Sequence, residues 1–280
     1  MRAIRCKGCG GAVALQPGKA MPECLFCGSP AASLVEEEVE TLEQPGEYAP
    51  FLVAQEEADQ AFREFAGSSI WYPGSLRSAD LSLRPLLLPA WAFSGLFETH
   101  WSGLVRASTR SGKRPVSGQG THAVEQCLVP ASRSIRRAEI AALGPYDESA
   151  LIAFSADEVD TPWELSEMSR SAGRDRAVGA VEFDISKALR AEHDLLSIRL
   201  SMLVNELSGK PVLVPVWIGA YRHGSRVFRV LVHGQTGKLV GDAPISVWKV
   251  AAAIGLALLL LGMGLACLVG GGGLAMVLEG

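Results

Sequence analysis

Four of the six cysteines fall in two short pairs, Cys6-x2-Cys9 in "CKGCG" and Cys24-x2-Cys27 in "CLFCG", separated by fourteen residues. A thiolate is a metal ligand, and a two-residue spacer sets two sulfurs on one tight turn, so two such turns offer four sulfurs to a tetrahedral ion. A glycine follows each pair, Gly10 and Gly28, as in the knuckles of a zinc ribbon, where backbone amides donate to the thiolates. The spacing predicts a structural zinc ion held by Cys6, Cys9, Cys24 and Cys27, with a redox role for the pairs as the alternative. Four protein ligands leave no open position for catalysis, and the ion would fold a module of about 30 residues that could hardly fold unaided.

No other constellation asks for an enzyme. His100, His122, His193, His223 and His233 show no HExxH or paired spacing, and there is no G-x-S-x-G elbow. "HGQTGKLVG", His233–Gly241, superficially resembles a phosphate loop, but only Gln235 and Thr236 separate Gly234 from Gly237, and Leu239 follows Lys238 where a hydroxyl is required. Phe228, Val230 and Val232 alternate with Arg229 and Leu231 upstream, so the stretch reads as a turn returning a strand on itself. The expectation is a non-enzymatic protein.

Arg106, Arg110, Lys113 and Arg114, joined beyond a gap by Arg133, Arg136 and Arg137, form a cationic cluster suited to an anionic surface, lipid headgroups or an acidic partner; a solvated loop is the alternative. The formal net charge of −4 argues against a chain whose main task is to coat nucleic acid. Residues 1–30 carry only Arg2, Arg5, Lys7 and Lys19 beside Phe26, and acidic residues follow, so protein contact is favoured over nucleic acid for the ribbon.

These groups must be positioned by a chain of 280 residues, 48% hydrophobic, long enough for one or two domains with buried cores. Composition divides it into a ribbon (1–32), an acidic linker (33–47), an α+β body (48–247), and a membrane helix with a short tail (248–280). "AQEEADQAFREFA" reads as an amphipathic helix with Ala54, Ala58, Ala61, Phe62 and Phe65 on one side. The segments "SIRRAEIAALG" and "ISKALRAEHDLLSIRLSMLVNEL" read as helical within a mixed stretch, 133–207.

"RPLLLPAWAF" from Arg84 repeats in "KPVLVPVWIG" from Lys210, with Pro85, Pro89 and Trp91 matched by Pro211, Pro215 and Trp217. The body is read as a duplicated β unit, about 84–105 and 210–241, against the alternative of two unrelated edge strands. Prolines at that spacing belong on a sheet edge or at a strand's start, because each lacks a donor.

Val250–Val269 holds no charge and no proline and would span about 30 Å as a helix, the thickness of a bilayer's hydrocarbon, so it reads as a single transmembrane segment. Gly262, Ala266 and Gly270 share one of its faces, a spacing that can let two helices approach closely, although glycine and alanine are common in membrane helices and that plainer reading is favoured. Arg229, Lys238 and Lys249 precede it and no Lys or Arg follows, which places the body in the cytoplasm, in agreement with reduced cysteines.

The order of these parts resembles a family of bacterial membrane proteins with an N-terminal TFIIB-type zinc ribbon, whose names often carry a primosomal or helicase-like label that no helicase motif here supports. The likeness rests on "CKGCG…CLFCG", "LLLPAWAF", "CLVPAS" at Cys127–Ser132, "LGPYD" at Leu143–Asp147, "VLVPVWIGAY" and "HGQTGKLVGDAPIS". Relatives often carry asparagine where His233 stands. The resemblance implies a membrane-anchored adaptor docking a cytosolic protein at the inner membrane, with phage-shock-A-like or flotillin-like membrane-associated proteins as partners. A membrane-tethered nucleic-acid-binding regulator, using the ribbon and the arginine cluster, is the competing expectation.

Overall fold

A computed structural model of the chain describes every residue except 1, 15–20, 40–42, 78–80, 82, 109, 225 and 278–280; of residues 137, 148, 222 and 264–277 it describes the backbone alone. The first half of the chain forms β1 (Arg2–Cys6), β2 (Ala12–Ala14), β3 (Leu34–Glu38), β4 (Glu47–Tyr48), α1 (Gln55–Gly67), α2 (Gly74–Arg77), β5 (Arg84–Arg106) and β6 (Lys113–Pro130). The second half forms α3 (Arg137–Leu143), β7 (Ile152–Ala153), α4 (Arg170–Glu192), β8 (Ser197–His223), β9 (Arg226–His233), β10 (Leu239–Gly241) and α5 (Val247–Val277). Among the described residues helices and strands are thus mixed around two sheets, one of three strands in the order β2-β1-β3 and one of seven strands centred on β5 and β8.

The two copies of the sequence repeat are the central strands of the large sheet, and they are antiparallel neighbours. Pro85 pairs with Trp217, Leu88 with Val214 and Trp91 with Pro211, so the repeat is related by a pseudo-two-fold through the Leu88–Val214 pair. The symmetry extends well past the strands. Trp91 Nε1 donates to Met168 O at 3.2 Å, just before α4, and Trp217 Nε1 donates to Val53 O at 3.1 Å, just before α1. Trp163 lies in parallel register with Leu87, and Tyr48 with Leu213. Each unit is therefore a short strand, a helix and a long hairpin, and each short strand pairs with the hairpin of the other unit.

This arrangement explains the prolines, which lie in the two central strands and not at an edge: Pro85 is near the start of β5, whereas Pro89, Pro211 and Pro215 lie inside the strands. Pro89 O accepts from Ala131 N and Pro215 O from Gly234 N, both at 2.9 Å, and Pro211 O accepts from Gly46 N. The backbone polar groups of these residues thus point away from the β5–β8 ladder, and the missing donors fall outside the central pairing.

From Leu86 to Phe93 β5 is buried on both faces, which is why its sequence reads as a continuous apolar run. Leu86, Leu88, Ala90 and Ala92, with Val212, Val214, Val216 and Ile218, pack against Cys6, Val13, Cys24 and Phe26 of the ribbon and Ile140 and Leu143 of α3. On the opposite face Trp217 meets Ala58 and Phe62 of α1, and Trp91 and Phe93 meet Ala177 of α4. The outer parts of β5, β6 and β8 extend as an arm covered on one face by α4, whose Val181, Ile185 and Leu189 pack on Phe97. Ser169 caps α4 by accepting from Ala172 N.

Two sequence expectations change here. "LLSIRLSMLVNEL" belongs to β8 from Ser197, with Ile198, Leu200, Met202 and Val204 on the α4 side at a period of two. The stretch 33–47, read as an acidic linker, supplies β3, whose five residues pair with β1 in the ribbon's own sheet, and β4.

The third change concerns the C-terminus. The single transmembrane helix expected at Val250–Val269 is not supported: among the described residues no helix is long and apolar enough to cross a membrane. Lys249, just before the expected span, is tied back to the body by donating to Ile70 O at 2.9 Å and Tyr72 O at 2.7 Å. The part of the expected span beyond Met263, with Ala266 and Gly270 of the small-residue stripe, lies outside the described side chains. The inner-membrane location and orientation drawn from that span fall with it.

Candidate metal centre

The two knuckles are built alike. Gly10 N donates to Cys6 O at 2.8 Å and Gly28 N to Cys24 O at 2.9 Å; Cys6 N donates to Gly11 O and Cys24 N to Ser29 O. Both turns need a left-handed residue, and Gly10 (φ 78°) and Gly28 (φ 65°) take it without a Cβ penalty. This geometry brings together all four cysteines singled out by spacing. Their sulfurs lie within 4.8 Å of one another, with Cys6 Sγ to Cys27 Sγ at 3.8 Å and Cys9 Sγ to Cys24 Sγ at 3.7 Å. A tetrahedron of sulfurs about 2.3 Å from a central ion has an edge of about 3.8 Å, so Cys6, Cys9, Cys24 and Cys27 can hold a metal ion.

The electrostatics favour a cation at the centre. The hydrogen bond between Cys24 and Cys9 holds the Cys9 thiol well below its ordinary range and, with burial, pushes Cys24 upward; burial also raises Cys27. Four thiolates this close would repel one another, and a cation between them would relieve that repulsion. Ser29 Oγ lies 3.1 Å from Cys27 Sγ as an outer hydrogen-bond partner.

Three polar contacts, beside the shared apolar core and the Arg84–Glu23 ion pair, join the ribbon to the body. Ala14 N donates to Trp163 O at 3.0 Å and Leu165 N to Ala12 O at 3.0 Å, so β2 continues through 163–165 towards β5. Arg5, beside the first knuckle, donates to Gly10 O and pairs with Glu37 and Glu167, and Glu167 also pairs with Arg133. The third is Glu164, fully buried at the junction, whose Oε1 accepts from Ser134 Oγ (2.7 Å), Ser134 N (3.2 Å) and Arg133 N (3.3 Å). Burial pushes its carboxyl up to about 7 against these stabilising donors, and Oε2 has no protein partner among the described residues. Nothing in the spacing of "TPWELSE" marks this glutamate as buried.

The cationic residues do not form one patch. Arg106, Arg110, Lys113 and Arg114 are exposed around the tip of the β5–β6 hairpin. Arg133 and Arg136 lie near its base, about 50 Å away at strand rise, where Arg133 pairs with Glu167 and Arg136 with Glu139 and Asp242. Arg137 opens α3, and its side chain is outside the described residues.

The stretches "LGPYD" and "HGQTGKLVG" meet in space. Gly237 (φ 74°) turns β9 into β10, with Gly237 N donating to His233 O at 2.9 Å. His233 is completely buried; its Nδ1 accepts from Gln235 N (3.1 Å) and Thr236 N (3.3 Å), which leaves Nε2 to donate to Pro145 O at 3.1 Å. The ring is therefore neutral, stacks on Tyr146 at 3.9 Å, and burial lowers its pKa. Asp147 N completes the contact by donating to Gln235 Oε1. This is a structural joint and not a phosphate cradle.

No family model matches the chain, and no solved structure matches it. Among curated proteins it is similar to Uncharacterized protein YdjG of Bacillus subtilis (strain 168), 24% identical over 229 residues, which cover 74% of this chain and 66% of that protein. The chain thus spans just under two thirds of the length of the curated relative it matches.

Proposed function

We propose that the chain is a non-enzymatic adaptor in which a structural zinc ion on Cys6, Cys9, Cys24 and Cys27 fixes the ribbon as a rigid docking element for a protein partner. The observation that carries this reading is the closed set of four sulfurs, which leaves a tetrahedral ion no position for substrate. The ribbon's outward side is the acidic strand β3, where Val35, Glu36 and Glu38 are exposed, and this edge suits a partner with a basic segment. The phage-shock-A-like and flotillin-like proteins implied by the resemblance are the partners to try first.

The test has two parts. Metal analysis of the purified chain should find one zinc per molecule, and a cross-linked pull-down should capture a partner that Glu36→Lys with Glu38→Lys releases while zinc content stays unchanged. A metal-free chain with an unchanged fold would sink the structural-zinc reading. Capture indifferent to those two charges would sink the docking edge.

A second reading has one observation in its favour: no acidic residue interrupts the chain between Glu98 and Glu125, so the hairpin tip is locally cationic. It predicts nucleic-acid binding that weakens steeply with salt and is lost on neutralising Arg106, Arg110 and Arg114. The distance from tip to ribbon requires this reading to work without the ribbon.

A further inference from the structure

The arm has an open edge along β6. Among the described residues β6 pairs only with β5, in unbroken register from Phe97↔His122 to Arg106↔Lys113. Leu104 O accepts from Leu196 N, on the β8 side, and Ala107 N donates to Gly112 O on the β6 side. Alternation then directs the backbone groups of Pro115, Ser117, Gln119, Thr121 and Ala123 outward, away from β5. Pro115 confirms the assignment, since its missing donor is harmless only on that side.

Such an edge is usually protected by charge, a bulge or a cover. Val116–Val124 has no acidic or strongly basic residue, and β6 has no irregularity there. The other edge of the arm is defended differently: β8 carries Arg199 and Glu206 and is broken by the register shift that leaves Asn205 unmatched to β5.

We infer that β6 pairs antiparallel with β6 of a second copy about a two-fold axis at Gln119, joining two arms into one continuous sheet. The occupant is a second copy because the strand is complementary to itself. Reflection through Gln119 sets Lys113 opposite Glu125 and Ser117 opposite Thr121, and all five side chains lie on the same exposed face of the arm. Opposite charges and paired hydroxyls are favourable cross-strand neighbours, and both recur by symmetry. Only the Pro115–Ala123 positions lose a bond.

The test is sedimentation velocity of the full chain over a concentration series. A dimer is expected, with Gln119→Pro converting it to monomer at unchanged circular dichroism and metal content, because proline at this outward position removes a donor the monomer does not use. Lys113→Glu should weaken the dimer, and Lys113→Glu with Glu125→Lys should restore it. A wild-type chain that stays monomeric throughout, or a Gln119→Pro chain that remains dimeric, overturns the proposal. Should Gln119→Pro lose its circular dichroism, the charge exchange decides, and failure of the second change to restore association overturns it.

Discussion

Leu88 and Val214 face one another at the centre of the sheet, and each is the other's counterpart in the sequence repeat. Any feature of one half placed by this axis should therefore have an equivalent in the other. The two indole hydrogen bonds meet that requirement to within 0.1 Å.

Trp91→Phe and Trp217→Phe should each cost about 1–2 kcal/mol, because each leaves a carbonyl at a helix entrance without its donor. The residues are about 20 Å apart along the strand direction, so the double variant should show the sum of the two losses. Urea denaturation of the three variants checks this; strong non-additivity would deny that the two joints are independent.

Removing the metal should melt ribbon and body together. Cys6, Cys24 and Phe26 share one core with Leu88 and Val214, so Cys24→Ser or chelation leaves no separate ribbon to unfold. Calorimetry should show one transition, destabilised by more than about 4 kcal/mol. A second, unmoved transition would show that the body is indifferent to the ion.

Glu164 should make the protein less stable as pH rises. Its folded pKa, raised to about 7 from an ordinary 4.5, means that its contribution is intact below about 4.5 and is lost as pH climbs through about 7. The loss is on the order of 3 kcal/mol at most. Glu164→Gln should flatten this limb of the stability–pH curve. An unchanged slope between pH 5 and 8, a window about those two values, would refute the assignment.

His233 acts on the acid side. Burial lowers its folded pKa below 6.5, so its contribution is complete above about 6.5 and declines as pH falls towards the folded value. His233→Asn should keep the turn, since an amide oxygen can accept from the amides of Gln235 and Thr236, while removing the decline. Thermal melts of both forms between pH 7 and about 5 measure it, and parallel curves would contradict it.

The cluster of four cysteines was legible in the sequence because a knuckle is local: two cysteines and a glycine on one short turn bring the sulfurs to one side. The repeat was also legible, since Pro85, Pro89 and Trp91 recur with their spacing intact. Its exchange of short strands was not, because Glu47–Tyr48 and the neighbours of Trp163 are too brief to show a period. Leu195, Leu196, Leu203 and Leu207 obscure the alternation of Ile198, Leu200, Met202 and Val204, which is how the arm strand of β8 came to look helical. Glu164 and the Arg5–Glu167–Arg133 network depend on residues brought together from three distant segments, and no local pattern announces them. The arginines deceived in the opposite sense: sequence neighbours on the two ends of a long hairpin are far apart in space.

The exchange of short strands also dictates an order of assembly. The Trp163 segment, which β2 needs as a neighbour, and β8, which β5 needs, are made long after the ribbon's cysteines. Contacts of such sequence separation form slowly, since a long loop must close before any of them is rewarded. While the chain is being synthesised, the four thiols and the apolar face of the first hairpin await residues not yet made. A metal ion captured early on these four sulfurs would shield the thiols from oxidation during that interval, protecting the nascent chain before its later contacts exist.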